Sequence, residues 1–141
     1  MNARWLTTSE EETRALGREL AAELAPDGVL LLSGDLGSGK TVLAQGVASG
    51  LGIDPGEVLS PTFNLIREHR GSRGRLLHVD LYRLDPDEVG ALGLEELLAG
   101  PGVKVVEWAE RLPFPVSGAR ALRLTRGVEG REIVETTSSS E

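Results

Sequence analysis

Apolar residues fall into two rhythms along the first fifty positions. Leu16, Leu20 and Leu24 recur every four residues, which puts them on one stripe of a helix. Ser9 followed by Glu12 has capping-box spacing, and the acids at 10 to 12 suit the positive end of a helix dipole, so the helix is predicted to start there. Pro26, Asp27 and Gly28 close it. Trp5 and Leu6 ahead of it suggest a short edge strand. Val29 to Leu32 is apolar at every position, as in a parallel strand covered on both faces. Beyond a glycine-rich segment, Leu43, Val47 and Leu51 return to the spacing of four. They predict a helix from about Thr41 to Leu51, despite the cost of Gly46 and Gly50 inside it.

Farther along, Phe63 to Arg67 and Leu76 to Leu81 have strand composition and are predicted to pair as a hairpin through the basic turn HRGSRGR, His69 to Arg75. Residues 88–98 read as helix in one or two short pieces, and KVVEW, Lys104 to Trp108, as another buried strand. Arg120 to Thr125 and Glu132 to Thr136 form a last predicted hairpin around Gly-Val-Glu-Gly, followed by a polar tail, 137–141, expected to be disordered. Alternating strands and helices of this kind predict one three-layer α/β domain over residues 1–136, with a mixed, mainly parallel central sheet.

Composition narrows the classes. A chain of 141 residues suits one domain, and the absence of cysteine removes disulfides, thiolate zinc ligands and thiol nucleophiles. Two histidines leave little for metal chemistry of their own. The longest apolar run, Val29 to Leu32, is far short of the roughly 20 residues of a membrane span. The first residues turn acidic where an export signal would turn apolar, so a cytoplasmic protein with no membrane contact is expected. A net charge of −7, from 22 acids and 15 bases, argues against broad adhesion to nucleic acid. The basic stretch 69–75 reads as a solvated turn, with contact to phosphate or an acidic partner as the alternative.

The chemistry is carried by Gly34 to Thr41, G-D-L-G-S-G-K-T, which matches G-x-x-x-x-G-K-[ST] in full. It follows a predicted buried strand and opens a predicted helix, the context a P-loop requires. Gly34, Gly37 and Gly39 let the backbone of the loop, with Asp35, Leu36 and Ser38, turn its N–H groups onto phosphate oxygens. The helix that continues through Val42 points its positive end at the same oxygens. Lys40 is the mobile charge for the β- and γ-phosphates, and the Thr41 hydroxyl is a hard oxygen ligand of the kind Mg²⁺ favours.

Turnover also needs acids at the carboxyl ends of neighbouring strands. Asp80 ends the run Leu76 to Val79, and Glu107 ends Val103 to Val106. Either can hold Mg²⁺ or orient water, and spacing alone leaves the assignment open. Ser60-Pro61-Thr62 lies where many P-loop proteins sense the γ-phosphate; Thr62 either presents its hydroxyl there or belongs to a plain turn. Trp108, one residue after Glu107, is expected to face away from the nucleotide, in the core or at the rim. His78 reads as a packed core residue and is assigned no role.

The ordered set GDLGSGKT, SPTF, HVDLYRL, LGLEE and VEWAE resembles the TsaE (YjeE) family, the ATPase component of the bacterial machinery that makes threonylcarbamoyladenosine in tRNA. The likeness runs from about Ser9 to Arg131. It implies a small mixed-sheet P-loop fold, weak ATPase activity with Mg²⁺, and work inside a complex with the TsaD and TsaB subunits, tRNA being reached indirectly. It also implies that Thr41 and Glu107 ligate the metal and that Asp80, Thr62 and Trp108 serve hydrolysis or its switching. Further nucleotide contacts are implied near Thr7 to Glu11, Thr8 among them, and at Gly130 and Arg131.

With water as acceptor, the parts required are phosphate clamps, Mg²⁺ and a group that positions the water. No residue is an obvious arginine finger; Arg83 and Arg111 are candidates. Two other readings share the P-loop: a small-molecule kinase, which needs an acceptor pocket and a water-excluding lid, and a nucleotide-sensing binding module without relevant turnover.

Overall fold

The elements follow the predicted order. Strand β1 (Arg4–Thr7) leads into helix α1 (Glu10–Leu24), then β2 (Val29–Gly34) and helix α2 (Lys40–Gly50). The hairpin of β3 (Ile66–Arg70) and β4 (Arg75–Asp80) precedes two short helices, α3 (Pro86–Gly90) and α4 (Leu94–Leu98). Strand β5 (Val103–Glu107) and a closing hairpin, β6 (Arg120–Arg126) and β7 (Arg131–Thr136), complete the chain. This is a computed structural model in which residues 3–35, 37–58 and 66–136 are described. Leu36, Thr62 with its Ser-Pro-Thr segment, the first residues of the predicted 63–67 strand and the 137–141 tail lie outside them.

Among the described residues, one seven-stranded sheet has the order β1-β7-β6-β2-β5-β4-β3. Its four inner strands, β6, β2, β5 and β4, are mutually parallel. The antiparallel pairs stand at the edges: β3–β4 and β6–β7 are hairpins with short turns, and β1 adds antiparallel to β7. Alternation along each strand feeds two cores. Leu30, Leu32, Leu76, Val103 and Val105 meet Leu16, Leu20, Leu43 and Val47 of α1 and α2. Val79, Leu81 and Val106 meet Val89, Leu94 and Leu98 of α3 and α4. The result is the three-layer arrangement expected.

Local chemistry explains the boundaries. Ser9 Oγ accepts from Glu12 N at 3.1 Å and starts α1. The Glu12 carboxylate reaches one residue past the usual capping box, accepting from Thr8 N at 2.7 Å and Thr8 Oγ1 at 2.9 Å. The glycines inside α2 have a packing reason. A Cβ on Gly46 would lie 2.3 Å from Arg14 O, and one on Gly17 2.6 Å from Leu43 O, so α1 and α2 touch backbone to backbone.

The basic turn is shorter than predicted. His69 and Arg70 belong to β3 and Arg75 to β4, and the turn itself is Gly71–Gly74, closed by Gly71 N donating to Gly74 O at 2.8 Å. His69 is buried rather than solvated, because period-two alternation sends it to the same face as Leu76, its partner across the hairpin. Among the described residues no helix is long and apolar enough to cross a membrane.

Candidate nucleotide site

At the carboxyl end of β2 the chain enters its glycine loop. Gly34, Gly37 and Gly39 adopt φ of 138°, 79° and 106°, a region that side-chain-bearing residues rarely enter. Ser38 N donates to Asp35 O at 3.1 Å and closes the bend. Helix α2 then begins at Lys40 with Gly39 as its N-cap, a residue with no side chain to bond the first turn. Its first amides are therefore left without an N-cap side-chain acceptor, the arrangement that attracts an anion.

Lys40 turns back into this loop. Its Nζ donates to Gly34 O at 2.6 Å, Asp35 O at 2.8 Å and Ser38 Oγ at 3.3 Å, and the residue is 4% exposed. Burial pushes its pKa below the usual lysine value; the carboxylates of Glu107, Glu110, Asp80 and Asp35 oppose that shift. The ammonium also lies 4.1 Å from the centroid of the Trp108 ring, within cation–π range.

Trp108 departs from the expected orientation. Its φ of 60° is left-handed, so the chain leaves β5 with a twist that breaks alternation. The ring consequently covers Lys40 instead of facing away. Tyr82 packs on it at 4.9 Å between centroids, tilted by 43°, and the Arg111 guanidinium stands 5.7 Å from it. Arg111 is itself anchored by Nη1 donating to Leu84 O at 2.9 Å.

Two acids meet the loop from the neighbouring strands. Glu107 ends β5, and its carboxylate accepts the Thr41 hydroxyl at 2.9 and 3.1 Å. Asp80 ends β4 directly opposite Glu107 in the parallel register, 4% exposed, with Oδ1 accepting from Tyr82 N at 2.9 Å. Beneath them His78 places Nε2 2.5 Å from Glu107 Oε2. This contact escaped the sequence reading, which treated His78 as a core filler.

The remaining predicted contacts gather at the same end. Gly130 packs against the backbone of Thr7 and Thr8, and the Arg131 side chain lies over Gly39. Both donors of Thr8 are engaged by Glu12. Arg131 Nε is buried without a hydrogen-bond partner among the described residues. Glu10, Gly37, Gly39, Lys40, Thr41, Val42, Glu107, Trp108 and Arg131 line one cavity of about 220 Å³. Leu36 and Thr62 lie outside the described residues.

Strand, glycine loop and uncapped helix, with a lysine and a hydroxyl facing acids from the adjoining strands, define a P-loop α/β domain. A sequence model of the family described as threonylcarbamoyl adenosine biosynthesis protein TsaE matches residues 7–133, and the chain belongs to that family. It is similar to the tRNA threonylcarbamoyladenosine biosynthesis protein TsaE of a Nostoc species, 45% identical over 132 residues covering 91% of this chain and 81% of the relative. The protein of the same name from Bacillus subtilis is 46% identical over 114 residues, covering 78% of this chain and 71% of the relative. The crystal structure of Bacillus subtilis YdiB superposes with a TM-score of 0.77 at 37% identity, covering 99% of this chain and 87% of that one.

Proposed function

We propose that this protein binds ATP with Mg²⁺, hydrolyses it slowly, and thereby drives the cycle of the complex that forms threonylcarbamoyladenosine in tRNA. Family membership supports the pathway. The observation that carries the nucleotide reading is the P-loop itself, a helix start without a side-chain cap above a buried lysine.

The residues present fit both groups. Phosphates fit a loop whose glycines leave the backbone accessible and whose lysine holds, among the described residues, carbonyl, hydroxyl and ring partners that phosphate oxygens can replace. A hard divalent cation fits the Thr41 hydroxyl and the Glu107 carboxylate, already side by side. Among the described residues no group of three or more His, Cys, Asp or Glu gathers to hold a metal. Such an ion would complete its shell from phosphate and water, as Mg²⁺ commonly does. When bound, Mg²⁺ supplies charge neutralisation at the β- and γ-phosphates.

The chain's own groups do the rest. Lys40 exchanges its loop carbonyls for phosphate oxygens, and the amides of Gly37 to Thr41 clamp the phosphates. Asp80, level with Glu107 and one strand over, orients the attacking water in this reading, a role its position beside Glu107 supports. Trp108 shields Lys40 from solvent, which strengthens its pull on the transferred group. Partners are the TsaD and TsaB subunits, tRNA is reached through them, and the cytoplasm is the compartment.

The test combines calorimetric binding of ATP with phosphate release. Binding in Mg²⁺ with slow release of free phosphate, and loss of tRNA modification in cells carrying Lys40→Ala, are the expected results. No binding heat overturns the reading. Label passed from ATP to a small-molecule acceptor identifies a kinase instead, and full partner activity with Glu107→Ala locked on ATP identifies a binding module.

A further inference from the structure

His78 stands under the carboxylate of Glu107 on the same face of the sheet. Strands β4 and β5 pair with His78 opposite Val105 and Asp80 opposite Glu107, so the imidazole lies one pleat below the two acids. The Nε2 to Oε2 distance is 2.5 Å, with side-chain exposures of 0% and 3%. A carboxylate oxygen accepts, so Nε2 is read as the donor in this bond. Among the described residues Nδ1 has no hydrogen-bond partner. A leucine would fill much of that space without stranding a polar atom, and a buried unsatisfied nitrogen costs stability. What sets His78 apart from a core filler is its bond to Glu107.

We propose that His78 is a positioning residue for Glu107: it fastens Oε2 so that the carboxylate stays level with Thr41, clear of Lys40, and turned towards a divalent cation. The inference rests on the Mg²⁺–ATP reading of the site. Thr41 donates to the carboxylate from the helix side, at 2.9 Å to Oε1 and 3.1 Å to Oε2. His78 holds it from the core side, so two bonds from different elements set its plane. Released from below, Glu107 would turn out of the plane in which it meets Thr41 and a divalent cation, while Lys40 keeps its loop partners for phosphate. Outer-sphere hydrogen bonds of this kind orient a metal's ligands, and their loss typically weakens metal binding about 10- to 100-fold.

The test uses the full-length protein with His78→Leu, His78→Gln and His78→Asn. Glutamine carries an N–H donor to about the reach of Nε2; asparagine has the same polarity but falls short. ADP binding is measured in EDTA and across a Mg²⁺ titration, and the histidine ring nitrogens are observed by ¹⁵N NMR in metal-free protein. With only two histidines in the chain, His78→Gln assigns the signals directly.

The expected spectrum has His78 protonated at Nε2. His78→Leu and His78→Asn raise the half-saturating Mg²⁺ concentration roughly tenfold or more while leaving EDTA binding within about twofold of the parent, and His78→Gln restores most of the Mg²⁺ response. If leucine does not fold, the asparagine–glutamine pair decides. An Nδ1-protonated ring, an unchanged Mg²⁺ response in His78→Asn, or equal losses in asparagine and glutamine variants would overturn the proposal. A parent protein that binds no ADP in either condition brings down the ATP reading itself and this proposal with it, a failure seen before any variant is compared.

Discussion

The sheet buries a lysine at each end, and the two are held in different ways. Lys104, near the start of β5, is 1% exposed; its Nζ donates to Asp27 O at 2.9 Å and to Gly100 O. Gly102 N adds a bond to Asp27 Oδ1 at 2.8 Å. These acceptors sit in two separate connections, one of them 77 residues away, so Lys104 clasps the α1–β2 loop to the α4–β5 loop. Lys40 takes its three acceptors from its own loop, no more than six residues away, with the carboxylates of Glu107, Glu110, Asp80 and Asp35 raising its pKa where Asp27 raises that of Lys104. The hollow beside Lys104 is larger, about 630 Å³ against about 220 Å³. Size therefore does not mark the chemistry. What marks it is a buried cation whose partners are local and replaceable, next to a helix start that no side chain has capped.

Exchanging the roles of the two lysines tests this contrast. Lys40→Ala should lower ATP turnover by roughly 10²-fold or more, with little change in Tm, in a phosphate-release assay paired with thermal melting. Asp80→Asn should lower turnover by about tenfold or more while calorimetry still finds ATP bound, if the group proposed to orient water is altered and the phosphate clamp is not. Lys104→Ala should do the reverse, destabilising the fold by about 2 kcal/mol in urea denaturation with ATP affinity unchanged, as the carbonyls of Asp27 and Gly100 lose their donor. A loss of ATP affinity in that variant would break the contrast.

The smallest effect concerns pH at the structural end. Arg120 bonds Glu135 at 2.9 and 3.0 Å and lowers its carboxyl pKa from the usual 4.5. A carboxyl lowered by folding contributes stability that is complete above about pH 4.5 and fades as pH falls through its folded value. Glu135→Gln should thus flatten the acid limb of the stability curve below that pH and leave ATP binding at pH 7 untouched, as denaturation at several pH values will read.

The glycine loop was legible in the sequence because a phosphate nest demands residues at positive φ in a fixed rhythm, and Gly34, Gly37 and Gly39 keep it. Glu107 was legible as the acid that ends an apolar run. Three features were not. The bond from His78 to Glu107 needs the register of two strands 29 residues apart, and periodicity yields only the face on which a residue lies. Lys104 hid inside a run read as ordinary buried strand, its partners fixed by loops that leave no periodic trace. Trp108 was placed by assuming that alternation continued past Glu107, and a left-handed residue ended it there. Where Thr62 lies relative to the site is outside the described residues.

The bare contact between α1 and α2 has a mechanical corollary. Where Gly17 and Gly46 bring one helix against the other's main chain, no cushion of side chains remains to absorb a shift. The two cylinders must travel as one piece. A tug on the front of α2, where its first amides wait, is felt along α1 and at the rim strand joined to it.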